Sequence, residues 1–174
     1  GFQGDIVYYG TYNSTVQIKP SDIDRVFRSK YPTGKLQSVV LSGVPATGGL
    51  YCNYFGVSKY GASKLKLTAA NCKQYTLYAS PSATSQYALT ELLYVPSGSN
   101  HCTSLPVTAY GTGSQTVSGT ILIGVTTATI GEVYGVTPKN TAVSFPASAI
   151  FNAVANASGT NLSSIQLLKL PASN

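Results

Sequence analysis

Few residues of this sequence could take part in acid–base or nucleophilic chemistry. Glycoside hydrolysis needs two carboxyl groups about 5–10 Å apart across a cleft. The chain has five acidic residues, Asp5, Asp22, Asp24, Glu91 and Glu132. Asp22 and Asp24 lie two positions apart at a predicted helix start, where they diverge and complement the helix dipole. The spacing of the acids therefore predicts no hydrolytic site.

The single histidine, His101, stands beside Cys102 in the turn-like segment SGSNHCTS. A Ser–His–Asp or Cys–His catalytic site would have to use this histidine, and no GxSxG motif accompanies it. The sequence also lacks a dinucleotide-binding or Walker loop, an EF-hand and a Cys-x-x-Cys pair. We therefore predict no enzyme activity, no cofactor and no metal site, and we interpret His101 as a loop residue.

The three cysteines are Cys52, Cys72 and Cys102. Three cysteines allow at most one disulfide within the chain and leave one free thiol. Their spacing does not decide which two would pair, and three reduced, buried cysteines are equally compatible with it.

Tyrosines are the remaining candidates for ligand binding. Five of them fall within 28 positions: Tyr51, Tyr54, Tyr60, Tyr75 and Tyr78. Tyrosine rings stack on the apolar faces of sugars, while neighbouring amides and hydroxyls bond the sugar edges. Tyrosine in a strand also packs against cross-strand neighbours. These five residues are thus either a glycan platform or structural packing, and the sequence leaves both open.

The composition excludes several classes of protein. Charged residues make up 9% of the chain, against roughly 25% in a typical soluble domain. The net charge of +6 comes from 11 basic and 5 acidic residues, and five bases lie between Lys19 and Lys35. We interpret that cluster as a solvated helix face rather than a nucleic-acid surface. The alternative is that the cluster binds an anionic cell-wall polymer. No apolar run is long enough for a transmembrane helix.

An internal repeat is the strongest signal in the chain. Residues 131–172 align with residues 4–46 when one gap is placed near Lys35. The alignment matches turn residues, apolar positions and the terminal Pro-Ala together, and its period of about 126 residues suits domains in tandem. Each copy predicts a strand, a turn at Asn13 or Asn140, a second strand, a short helix and a third strand.

The predicted elements are mostly β. In the first copy, strands are predicted at 6–9, 15–18 and 36–41, and a helix near 20–30. The helix starts at Pro-Ser-Asp and carries Ile23, Val26 and Phe27 on one face. Five strands are predicted between the copies, at 50–55, 74–79, 89–95, 105–110 and 116–125. The second copy predicts strands at 132–136, 142–145 and 162–168. The pattern is typical of a β-sandwich with one short helix per repeat unit.

The order of these motifs resembles a family of tandem Ig-like or cadherin-like repeats. Such repeats occur in large surface proteins of Gram-positive (Firmicutes) bacteria, often near S-layer homology modules. The segment LYCNYF, Leu50–Phe55, is similar to the family's LYYNY strand, with Cys52 where tyrosine is usual. LYVP at Leu93–Pro96 and GTILI at Gly119–Ile123 are similar to its later signatures. The likeness spans nearly the whole chain.

The resemblance implies an extracellular, non-catalytic structural or adhesive module on a cell surface, with an Ig-like β-sandwich fold. It transfers no catalytic or ligand residues. We expect residues 1–130 to form the sandwich and residues 131–174 to be a partial second copy of the opening unit, packed in cis or in trans. Partners would be neighbouring repeats, copies of the chain itself, or a glycan or cell-wall polymer. The alternatives are a carbohydrate-binding module using surface tyrosines, and a fibre subunit completed in trans by residues 131–174.

Overall fold

The computed structural model describes residues 6–55, 63–81, 86–126, 133–158, 162–167 and 170. Within them the chain is mainly β, as the sequence predicts. The helices and strands are β1 (Val7–Thr11), β2 (Val16–Ile18), α1 (Pro20–Lys30), β3 (Ser38–Leu41), β4 (Gly49–Phe55), β5 (Ser63–Leu67), β6 (Thr76–Tyr78), β7 (Gln86–Val95), β8 (His101–Tyr110), β9 (Thr116–Thr126) and α2 (Ala147–Ser158).

All nine strands join in one mixed sheet. Its order is β1-β9-β8-β3-β6-β7-β4-β5, and β2 pairs with β7 beside this path. The β1–β9 and β6–β7 pairs are parallel, and the other pairs are antiparallel. Strand β7 has two partners on the edge that does not pair with β4. Its first part pairs with β6, and its last part pairs with β2. The parallel β6–β7 pair joins the two halves of the sheet.

The core lies on one face of the strands. Alternate residues of β8 and β9 are buried there, as the two-residue period of a strand requires: Leu105, Val107, Ala109, Val117, Ile121, Ile123 and Val125. Helix α1 begins at Pro20, close to the predicted start, and buries Ile23, Val26 and Phe27 against this core. Asp22 in its first turn and Arg28 and Lys30 in its last turn complement the helix dipole. No helix in the described ranges has the length and apolar character to cross a membrane.

Two sets of strand predictions are wrong. Strand β5 was not predicted, because its sequence SKLKL carries lysines, which are uncommon in strands. The strands predicted in the second copy are absent: residues 133–136, 142–145 and 162–167 are irregular. A strand needs a neighbouring strand to take its backbone hydrogen bonds. In the first copy β9 and β7 fulfil that role for β1 and β2. Residues 132 and 168 lie outside the described ranges.

Candidate functional site

The interpretation of His101 as a loop residue is wrong, because it is the first residue of β8 and pairs with Val125 of β9. Its side chain is held in a structural hydrogen-bond chain. Its Nδ1 lies 2.6 Å from the Ser99 carbonyl oxygen, and its Nε2 lies 2.8 Å from the hydroxyl of Tyr94. The same hydroxyl donates its one hydrogen to the Thr47 carbonyl oxygen at 2.9 Å. A carbonyl only accepts, so Nδ1 carries a hydrogen. The His101 ring and the Tyr94 hydroxyl together link the loop before β8 to the loop before β4, and both ring nitrogens have a partner.

Removing the Tyr94 hydroxyl should destabilise the protein measurably. The ring of Tyr94 is fully buried, so Tyr94→Phe keeps the packing but leaves the Thr47 carbonyl and His101 Nε2 without this partner. We expect the free energy of unfolding to fall by about 1–3 kcal/mol, measured by urea denaturation. Tyr110→Phe is the matched control, since Tyr110 is 38% exposed and should change stability by less than about 0.5 kcal/mol. Equal losses in both variants would contradict the role given to this hydroxyl.

The acidic residues in the described ranges have structural partners and do not converge. Asp22 Oδ2 accepts from the Tyr8 hydroxyl at 2.6 Å, and the same hydroxyl accepts from the Lys19 backbone N–H at 2.9 Å. Burial and this bond to Asp22 raise the pKa of Tyr8 well above its ordinary value. Asp24 lies 2.9 Å from Arg28 one helical turn away. Asp5 and Glu132 lie outside the described ranges.

The five candidate tyrosines do not form one group. Tyr54 and Tyr75 lie on the core side, where both contact Tyr87, with ring centroids 4.8 and 4.4 Å from it. Burial, followed by the neighbouring Tyr75, raises the pKa of Tyr87. The three half-buried rings, in which Tyr87 contacts each of the other two, extend the core. Tyr87 is not among the tyrosines selected from the sequence, because its position becomes clear only from the β4–β7 register, which places it opposite Tyr54.

Tyr51 and Tyr78 lie on the opposite, outer face of the sheet. Leu50 and Cys52 are buried in the core, so the alternating residue Tyr51 faces away from it; Tyr78 alternates in the same way with the buried Leu77. These two tyrosines are therefore separated from Tyr54 and Tyr75 by the thickness of the sheet. Tyr60 lies outside the described ranges.

The register aligns residues from six strands in one row on this outer face. We call it the outer row. Directly opposed residues in successive strands are Lys64, Asn53, Ala88, Tyr78, Ser38 and Tyr110. Tyr110 is 38% exposed, Lys64 is exposed, and Tyr78 and Asn53 are half-buried. The two small residues of the row, Ala88 and Ser38, are buried, at 0% and 8% exposed. Large and small side chains alternate over much of this row.

A bulge places a carboxylate beside the outer row. Between the pairs Tyr51–Leu93 and Asn53–Ala88, β7 has three more residues than β4. Glu91 lies in this bulge with a φ of 60°, in the left-handed region that non-glycine residues seldom adopt. The Asn53 amide Nδ2 donates to Glu91 Oε2 at 2.7 Å. An amide and a carboxylate are thereby fixed next to each other on the exposed face.

All three cysteines are free thiols. Cys52 and Cys72 are buried, and Cys102 is exposed. Burial raises the pKa of Cys52 to about 11 and also raises that of Cys102. Cys102 lines a shallow groove on β8 and β9 to which Gln166 and Leu167 contribute, so part of the C-terminal region lies beside the sheet. The raised pKa values do not favour thiolate chemistry at neutral pH.

The C-terminal region repeats the local structure of residues 11–30. Helix α2 begins 127 residues after α1 and matches its length to one residue. A turn bond from the Ser14 N–H to the Thr11 carbonyl has its counterpart from Thr141 to Pro138, again 127 residues on. At the helix start, the bond from Asp22 to Lys19 corresponds to that from Ala149 to Pro146. The two segments thus share their turn, their helix start and their helix.

The two copies differ sharply in burial. Val16 and Ile18 are 6% and 0% exposed, whereas the aligned Val143 and Phe145 are 38% and 52% exposed. The first copy's third strand contains the fully buried Leu41, and the aligned Leu167 is 72% exposed. None of the described residues from 133 onward is buried. We call residues 133–167 the C-terminal unit; it is a copy of a core-forming unit, and its described apolar residues are exposed or half-buried.

No protein-family model, curated protein or solved structure matches the chain. In the described ranges, no three His, Cys, Asp or Glu side chains gather in a way that could hold a metal ion. Among the described residues, two arrangements are candidates for a function: the outer row with its neighbouring amide and carboxylate, and the C-terminal unit with its exposed apolar residues.

Proposed function

We propose that the chain is a non-catalytic, extracellular structural and adhesive module of a bacterial surface protein. Its strands would form an Ig-like sandwich, and its partners would be neighbouring modules of the same kind. The contrast in burial between the two copies carries this proposal. A unit that buries Val16 and Ile18 in one domain is repeated with Val143 and Phe145 exposed, as expected for the first part of a second domain.

The covering surface that the C-terminal unit lacks is defined by the first copy. There, β1 pairs with β9, β2 pairs with β7, and β3 lies between β6 and β8. All four of these partner strands fall within residues 76–126. A module resembling residues 47–126 would therefore supply every strand that the C-terminal unit needs. Its exposed apolar residues include Phe145, Ile165 and Leu167, and burying such side chains stabilises by about 1.5–3 kcal/mol each.

An extended chain tests this proposal. Residues 47–130 are appended after Ala172, so that the C-terminal unit is followed by a second copy of its expected complement. We expect the amides of residues 143–158 to gain protection from hydrogen exchange, because strands and a core now cover them. The same extension carrying Val143→Asp and Phe145→Asp is the control and should leave those amides unprotected. An extended chain in which residues 143–158 exchange as fast as before would refute the proposal.

Light scattering on the unextended chain separates the fibre alternative from this one. If the C-terminal unit is completed in trans by another copy, the mass should rise with concentration and return to that of a monomer in the Val143→Asp, Phe145→Asp variant. In each chain, residues 6–41 already occupy the place that the C-terminal unit of another copy would have to take. They also bury more apolar surface than the C-terminal unit does. We therefore expect a monomer, and concentration-dependent growth would favour the fibre.

A further inference from the structure

We propose that the outer row binds a neutral polysaccharide chain lying across the strands. The row combines two tyrosine rings, Tyr110 and Tyr78, with the amide of Asn53 on a surface opposite the core. This proposal goes beyond the modular function above and does not depend on the C-terminal unit.

The spacing of the row suits a chain of sugar rings. Neighbouring strands lie about 4.8 Å apart, so Tyr110 and Tyr78, two strands apart, are separated by about 10 Å. Between them lies only the small side chain of Ser38, which is 8% exposed. In the described part of the chain, neither ring stacks on another aromatic ring, in contrast to Tyr54, Tyr75 and Tyr87. Their faces are therefore not used by the aromatic packing of the core.

The charges beside the row favour hydroxyl groups over ions. Asn53 and Glu91 are joined at 2.7 Å, and Lys64 lies directly opposite Asn53 on β5. A sugar hydroxyl both donates and accepts, so it can use the carboxylate, the amide and the ammonium group together. A polyanion would be attracted by Lys64 and Lys66 but repelled by Glu91, and a polycation would meet the reverse, so a polymer of either charge has an unfavourable contact on this surface. A neutral, hydroxyl-rich polymer can form hydrogen bonds with the carboxylate and with the lysines, and neither repels it.

Tyr51 extends the surface along the strands. It opposes Lys66 on β5 and Leu93 on β7, and Leu93 opposes Gln17 on β2. This second row lies about 7 Å from the outer row, two residues along β4. Tyr51 is half-buried, and Lys66 and Gln17 are exposed. Of the five tyrosines selected from the sequence, Tyr51 and Tyr78 lie on this proposed surface.

Affinity electrophoresis tests the proposal with the full chain. The probes are dextran, hydroxyethylcellulose and galactomannan as neutral polymers, and polygalacturonate and poly-L-glutamate as anionic ones. We expect at least one neutral polymer to retard the protein. Tyr110→Ala and Asn53→Ala should each weaken its apparent affinity about tenfold, and Tyr78→Phe, which keeps the ring, should weaken it less than twofold. Tyr9→Ala is the matched control, because Tyr9 is 70% exposed on β1 at the far edge of the sheet.

Three results would overturn the proposal. The first is that no neutral polymer retards the protein. The second is that Tyr9→Ala weakens retardation as much as Tyr110→Ala. The third is that poly-L-glutamate retards the protein as strongly as any sugar polymer and that salt abolishes this effect, which would indicate binding by charge alone. Unchanged thermal unfolding of Tyr110→Ala verifies that any lost affinity is not lost folding.

Discussion

Replacing Phe27 by alanine is expected to lower the free energy of unfolding by about 3–5 kcal/mol. Phe27 is fully buried on the inner side of α1, and its ring contacts that of Tyr31 at a centroid distance of 5.3 Å. Two glycines, Gly34 and Gly111, lie so close that a Cβ on Gly111 would overlap the ring. The backbone at these glycines thus packs directly against Phe27. Neighbouring groups therefore cannot easily move into the cavity that removal of the ring would leave.

Phe145→Ala is the matched control because it makes the same chemical change in the C-terminal unit. Phe145 is 52% exposed, so its truncation should change the free energy of unfolding by less than about 0.5 kcal/mol. Both values come from chemical denaturation followed by circular dichroism, with the slope of the transition compared between variants. A loss for Phe145→Ala similar to that for Phe27→Ala would mean that the C-terminal unit already contributes to the core.

Local signals in the sequence were sufficient to predict α1 and most of the central strands. The Pro-Ser-Asp start and the spacing of Ile23, Val26 and Phe27 identify the helix, and the structure buries all three. These signals work because the residues that decide a helix start and an apolar face are neighbours in the chain. Strand β5 escaped prediction because its two lysines hide the alternation that its leucines carry.

The pairing of strands distant in the sequence could not be predicted. This pairing determines which residues form the candidate site and whether the strands of the second copy form. Tyr54 and Tyr87 are 33 positions apart, and only their register makes them neighbours. The outer row needs five pairings between six strands, none of which has a signature in local composition. The strands of the second copy were predicted from the same local pattern as those of the first. They do not form because a strand is completed by distant partners and not by its own sequence.

Alkaline pH should destabilise the protein through Cys52. Burial raises the pKa of this thiol from its ordinary value of 9.0 to about 11, so the folded state holds the proton more tightly than the unfolded chain does. Below pH 9 both states keep the proton, and the full stability remains. As the pH rises from 9 to 11, only the unfolded chain loses the proton, and the free energy of unfolding falls by about 2–3 kcal/mol. Tyr8 and Tyr87, whose pKa values are raised from an ordinary value of 10.0, act in the same direction from about pH 10 upward, where the unfolded chain begins to lose their protons.

Urea denaturation at intervals between pH 7 and pH 11, under a reductant that keeps thiols from oxidising, measures this effect. Cys52→Ala removes the titrating group, so this variant is less stable than the original at pH 7 but should lose less stability on going to pH 11. The difference between the two proteins therefore narrows as the pH rises. Cys102→Ala, at an exposed position of the same sheet, controls for the loss of a thiol as such and should follow the original protein more closely. Parallel pH curves for the original chain and Cys52→Ala would show that the Cys52 thiol is not the group responsible.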